Sequence, residues 1–156
     1  FIGHLQRNKV KYIAPHTSLI HSIDSIKLLT EVNKQGLKNK RIINCLLQFH
    51  IATEESKFGL SLEEAKELLT SNEFLNLKNI KIIGVMGMAS FSNNEEQVRN
   101  EFIRLKDIFT QLKNNFFKQT ETFQTISMGM SGDYQIAIEE GSTMIRVGSA
   151  IFGNRN

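Results

Sequence analysis

The sequence predicts an α/β fold on parallel strands, of the TIM-type (β/α)8 barrel class but lacking the first two βα units. Three observations carry that expectation. Apolar runs alternate strictly with amphipathic stretches along the chain, which argues for parallel strands joined by right-handed helical crossovers. Spread over six such units, the 156 residues give about 26 per unit, whereas a complete barrel takes ~250 residues, or ~200 at its most compact. Two small-residue segments close the chain, Ser127-Met-Gly-Met-Ser-Gly-Asp133 and Gly141-Ser-Thr-Met-Ile-Arg-Val-Gly-Ser-Ala-Ile-Phe-Gly153. Strand, small-residue loop, helix, strand, small-residue loop is how such a barrel builds a phosphate cradle from its last two strands. A doubly wound sheet usually carries its glycine-rich loop after the first strand, and none occurs early here.

The elements follow in order. Phe1 to Leu5 reads as a strand and Asn8 to Ala14 as a short helix. Ser18 to Ile23 is the second strand. Asp24 caps a helix that turns Ile26, Leu28, Leu29 and Val32 inward and ends at Gly36. Arg41 to His50 is apolar without strict alternation, as expected of a strand buried on both faces. Ser61-Leu-Glu-Glu64 is a capping box opening a helix to about Ser71. Ile80 to Met88 is the fourth strand. A second capping box, Ser92 to Glu95, precedes a helix with Val98, Phe102, Leu105, Phe109 and Leu112 on one face. Phe123 to Met128 is the fifth strand, Tyr134 to Glu140 an amphipathic stretch, and Thr143 to Ile151 the sixth strand. Nothing divides the chain, so residues 1–156 are expected to form one domain, N-terminally incomplete: the start reads like the middle of a strand.

Composition narrows the function classes. Net charge is +3, and the basic cluster Lys38, Lys40 and Arg41 is too short for a nucleic-acid stripe. No apolar run approaches the ~20 residues that span a bilayer. Cys45 is the only cysteine, in an apolar run; this excludes a disulfide framework and fits a cytoplasmic protein. His4, His21 and His50 share no metal-ligand spacing and read as polar residues lining or bordering the pocket.

In a barrel the chemistry sits at the C-terminal ends of the strands. The richest ends here are Ser127 to Ser131 and Arg146 to Ser149. Gly129 allows a close main-chain approach and the amides around it can form an anion nest; the segment also reads as a plain turn capped by Ser131 and Asp133. Gly148 and Ser149 offer further amides, or Gly148 serves tight packing. Arg146 is a lone charge in an apolar strand and needs a partner: a ligand acceptor in the barrel mouth, or Glu139 or Glu140 at a strand edge. Met86, Met88, Met128 and Met130 suit either the flank of a flat aromatic ligand or core filling.

These segments resemble the YggS/PROSC family of pyridoxal-phosphate homeostasis proteins. The matching stretches are Phe1-Ile-Gly-His-Leu-Gln-Arg-Asn-Lys9, His21-Ser-Ile-Asp24, Ser56-Lys-Phe-Gly59, Gly84-Val-Met86 and the two closing segments. The resemblance implies a single-domain barrel like the N-terminal domain of alanine racemase. It implies pyridoxal 5'-phosphate as cofactor, with Arg146 as partner of the ring nitrogen. Ser127, Gly129, Met130, Ser131, Gly148 and Ser149 would hold the phosphate. The family's Schiff-base lysine would lie upstream of Phe1, and Lys9 does not take its role. The implied function is intracellular cofactor homeostasis: the cofactor is held as a reversible aldimine without substrate turnover, with no catalytic residue in this chain. Implied partners are the cofactor and its client enzymes, and the full-length protein would be a monomer. A racemase or other amino-acid enzyme of the same fold is the alternative, and it would need a second acid or base.

Overall fold

The structure, a computed structural model, describes residues 1–53 and 58–153. A 3-10 turn at Arg7–Lys9 leads into α1 (Val10–Ile13). There follow β1 (Leu19–Ile23), α2 (Ile26–Lys38), β2 (Ile43–Phe49), α3 (Leu62–Thr70), α4 (Asn72–Leu75) and β3 (Ile80–Gly87). The chain continues through α5 (Glu95–Phe116), β4 (Thr125–Met130), α6 (Tyr134–Glu139), β5 (Met144–Arg146) and α7 (Ser149–Phe152). The five strands are parallel and lie side by side in sequence order. This is the alternation expected, with one strand fewer.

The missing strand is Phe1 to Leu5. Of these five residues only Phe1 is hydrogen-bonded to β1: its main-chain nitrogen donates to Leu19 O at 2.7 Å and its carbonyl accepts from His21 N at 3.0 Å. Gly3 and His4 are exposed, and Leu5 alone of the five is buried. With four of its five residues exposed and one residue paired, the stretch carries no continuous ladder. The last strand is shorter than expected for a different reason. After Arg146 the backbone leaves the ladder, Gly148 precedes the single turn of α7, and Ile151 and Phe152 point to solvent.

One face of the sheet packs on the helices. Ile20, Cys45, Leu47, Ile82, Val85, Ile126 and Met128 meet Leu28, Val32, Leu69, Phe102, Leu105 and Leu112 in one core. Burial pushes the Cys45 thiol up to about 12, so it stays protonated and packs as a small hydrophobe. The capping box at Ser61 forms as the sequence predicts. The two other caps shift along the chain: Ser25, not Asp24, accepts from Leu28 N, and Asn94, not Ser92, accepts from Gln97 N. Gly36 does not end α2 but lies inside it, where a Cβ would come within 2.7 Å of Asn79 O.

The other face carries His21, Leu46, Gln48, Met86, Ser127 and Arg146, all buried. His21 Nδ1 lies 3.1 Å from Ser127 Oγ. On a flat sheet β1 and β4 would stand roughly 14 Å apart, three spacings of ~4.8 Å. Side chains of this size meet across that distance only because the sheet curls. The five strands form an open half-barrel with this face inside.

Candidate functional site

Arg146 is the last residue of β5 and projects into the concave face. Its Nη1 donates to Ser127 Oγ at 2.9 Å and its Nη2 to the carbonyl of Gly87, the last residue of β3, at 3.0 Å. The chain Arg146–Ser127–His21 therefore ties β5, β4 and β1 across the hollow. Glu139 and Glu140, the alternative partners at the strand edge, bind Arg99 instead. No carboxylate offsets the buried guanidinium at hydrogen-bond range among the described residues. Burial pulls it down from its ordinary value to about 10, with Asp133 acting in the opposite sense. It is still a cation at neutral pH. Its Nε is buried with no partner, a condition shared among the described residues only by Ser22 Oγ.

His21 is only 6% exposed. Burial first, then nearby positive charge that includes Arg146, holds it down at about 4. The folded state therefore keeps His21 neutral while the unfolded chain protonates it near its ordinary value. The unfolded state binds more protons between those two values, so stability falls as pH drops through that window and is flat above it. We expect His21 to contribute a loss of about 1–2 kcal/mol between pH 7.5 and pH 5. Urea midpoints at the two pH values, compared with those of His21→Asn, check it; an identical pH slope in the variant would refute it.

The two glycine-serine loops meet at the same end of the sheet. Ser131 Oγ accepts from Gly148 N at 3.2 Å and from Ala150 N at 3.3 Å. Met130 N donates to Asp133 Oδ1 at 2.6 Å, so that amide is already engaged by a carboxylate. Gly129 has φ +95, and a Cβ there would stand 2.6 Å from Ala137 Cβ. Its close approach is to α6, the helix that carries the loop's return. Gly148 differs: nothing lies within 4 Å of where its Cβ would be, and it is exposed with Ser149 and Ala150. The structure thus brings Ser131, Gly148 and Ala150 together and puts Ser127, fully buried, under Arg146. Ala150 was not legible as a donor, because an alanine advertises nothing through its side chain.

The methionines divide. Met86 and Met128 are buried, Met88 is half-buried and Met130 is 46% exposed. His4 stacks on Phe58 with ring centroids 4.3 Å apart and lies 3.8 Å from Asp24. Lys9 is exposed, 5.9 Å from the centre of the Tyr12 ring. Ser56 and Lys57 of the motif Ser56-Lys-Phe-Gly59 lie outside the described residues.

A feature the sequence did not reveal braces two loops at the same end. Glu101, on α5 and 5% exposed, accepts from Ser90 N at 2.6 Å, Ser90 Oγ at 2.8 Å and Thr53 N at 3.0 Å. Burial alone would raise this carboxyl, but the bonds from Ser90 and Thr53 hold it below its usual range. Thr53, after β2, and Ser90, after β3, are therefore tied to one helix. A Glu within a helix face reads from sequence as solvent-facing, which is why the brace was missed.

No group of three His, Cys, Asp or Glu side chains that could hold a metal occurs among the described residues. None of the described helices is long and apolar enough to cross a membrane. The donor set at the sheet's C-terminal end consists of an unpartnered buried guanidinium N–H and two exposed main-chain amides gathered on a hydroxyl. It fits a ligand carrying one hydrogen-bond acceptor and one anionic group.

Comparison with known proteins agrees with that chemistry. The family profile of the alanine racemase N-terminal domain matches residues 1–156. Pyridoxal phosphate homeostasis proteins of Aquifex aeolicus and Haemophilus influenzae are each 38% identical to the chain, over 155 and 156 residues. They cover 99% and 100% of it, and the chain spans 66% and 64% of their lengths. The structure of PipY of Synechococcus elongatus with pyridoxal phosphate bound superimposes with a TM-score of 0.80 at 27% identity, covering 97% of this chain and 68% of that one. The chain belongs to the alanine racemase N-terminal domain family and, within it, to the YggS-type pyridoxal phosphate homeostasis proteins.

Proposed function

We propose that this protein binds pyridoxal 5'-phosphate and serves its homeostasis in the cytoplasm, holding the cofactor rather than turning over an amino acid. The observation that carries the reading is the buried, unpartnered Nε of Arg146 on the concave face. An N–H kept from water and given no acceptor is costly, and a pyridine nitrogen is an acceptor that offsets the cost. Arg146 would donate to that nitrogen and, remaining charged, keep it unprotonated. Gly148, Ser149 and Ala150 would take the phosphate with Ser131, whose Oγ can rotate away from the amides it now receives. Gly129 and Met130 shape the same turn, and Ser127 acts beneath, on Arg146. When bound, the cofactor supplies an aldehyde that condenses reversibly with primary amines. An arginine at the ring nitrogen weakens its pull on electrons, which suits storage more than carbanion chemistry.

The finer reading of the fold belongs to the same proposal: the five strands are later units of an eight-unit barrel. Their parallel order, their curl and the 64–66% share of the relatives' lengths support it. Lys9 is exposed beside Tyr12, and in this proposal the reactive lysine lies N-terminal to Phe1. Residues 1–156 act in this reading as one domain of a monomer, with pyridoxal-phosphate enzymes as clients.

The test is made on the natural full-length protein. Cofactor absorption should survive dialysis, and borohydride reduction followed by peptide mapping should label a lysine outside residues 1–156. Amino acids should be neither racemised nor decarboxylated. A single dominant label inside residues 1–156, at Lys9 or elsewhere, would overturn the lysine assignment. Sustained amino-acid turnover would favour the enzyme alternative.

A further inference from the structure

We propose that His21 is a positioning residue for the Arg146 guanidinium: acting through the Ser127 hydroxyl, it fixes which N–H of the arginine is left for a ligand. The inference rests on the reading of Arg146 as a ligand donor. Arginine nitrogens only donate, so Ser127 Oγ is the acceptor in its 2.9 Å contact with Nη1. The hydroxyl proton must then go elsewhere. The side-chain partner on that side is His21 Nδ1, 3.1 Å away. A neutral imidazole with its proton on Nε2 offers Nδ1 as an acceptor. In that tautomer the chain runs Nη1–H to Ser127 and Ser127 O–H to His21.

A serine hydroxyl with one neighbour can swing among its rotamers, whereas one that accepts from Arg146 and donates to His21 is held. The guanidinium is pinned at two corners, Nη1 on Ser127 and Nη2 on Gly87 O. A planar fork held at two corners has its third nitrogen fixed in direction. Nε is that nitrogen, and it has no acceptor. Its aim is therefore decided on β1, by a residue 106 positions from Ser127. His21 does not touch the ligand in this account.

The experiment compares His21→Leu, His21→Asn and Ser127→Ala in the natural full-length protein, loaded with pyridoxal phosphate. Affinity and the absorption spectrum of the bound cofactor are the readouts. His21→Leu removes the acceptor and should weaken binding about three- to tenfold, moving the spectrum in the direction that Arg146→Ala moves it. His21→Asn keeps an acceptor oxygen for the Ser127 proton and should restore both. A purely structural role for His21 would not give that rescue. Ser127→Ala deletes a single oxygen and should reproduce the leucine variant; it decides the matter alone if His21→Leu does not fold. Combining the two should add nothing further, since they break one link. If Arg146→Ala weakens binding while His21→Leu and Ser127→Ala stay within twofold of wild type with unchanged spectra, the inference is overturned and the reading of Arg146 stands. If the wild-type protein retains no cofactor, the reading itself fails.

Discussion

Replacing Arg146 by alanine in the natural full-length protein is expected to loosen pyridoxal phosphate by about tenfold to a hundredfold and to shift its absorption, with the fold retained. The bond at stake is charge-assisted, worth roughly 1.5–3 kcal/mol, and each ~1.4 kcal/mol is a factor of ten. The fold should survive because the guanidinium's present partners are weakly demanding. Ser127 keeps His21 as a partner, and the Ser127 oxygen and the Gly87 carbonyl each lose one donor. Removing a buried cation that no carboxylate among the described residues hydrogen-bonds also relieves its desolvation cost, the same burial that pulls Arg146 down to about 10. Stability should therefore move little while affinity moves a great deal. Equilibrium dialysis and a thermal melt on the same sample separate the two. Affinity within twofold of wild type would refute the role given to Arg146. A large loss of stability with intact affinity in the folded fraction would make it a structural residue.

The contrast between legible and illegible features runs along one line. The existence and order of most elements were visible in the sequence. The alternation gave parallel strands, the Ser61 box formed, and Val98, Phe102, Leu105 and Leu112 are buried as their spacing requires. Caps were harder because two competent residues stood side by side. Asp24 could have capped α2, but its carboxylate instead accepts from Ser25 Oγ at 3.2 Å, and Ser25 does the capping. Strand ends were overdrawn for the same reason. Phe1 to Leu5 and Thr143 to Ile151 are apolar enough for strands, and pattern alone does not say whether a ladder partner exists for each residue. The site was half visible: Arg146 and the two loops stood out by residue type, and their meeting follows from β4 and β5 being neighbours. His21 was readable as a residue of the pocket, but its contact with Ser127 was not, because that contact exists only through the curl of the sheet. Glu101 was hidden because a helix position shows its burial only once the loops of Thr53 and Ser90 have folded over it.

Gly84→Ala should be the most disruptive small substitution in the chain, costing about 4 kcal/mol or more. Gly84 pairs with Thr125 in the β3–β4 ladder, and an added Cβ would stand 1.9 Å from Thr125 O and 2.7 Å from Thr125 C. The neighbour is main chain, so no side chain can rotate away; the strands must separate or slip. Slippage is costly here because the register places function. On one side of Gly84 the β2–β3 pairing already shifts, from Cys45 opposite Ile82 to Leu46 opposite Gly84. On the other, Met86 stands opposite Ser127. That register puts the Gly87 carbonyl and the Ser127 hydroxyl both within reach of Arg146. A slip of one residue would also turn Ser127 out of the hollow and Ile126 or Met128 into it. The variant should be insoluble, or unfold at a much lower urea concentration, and any folded fraction should bind cofactor poorly. Gly148→Ala is the control, because nothing lies within 4 Å of its Cβ position; its urea midpoint should match wild type. A Gly84→Ala protein as stable as Gly148→Ala would show that the β3–β4 ladder can open by more than 1 Å at little cost, and the register argument for the site would fall with it.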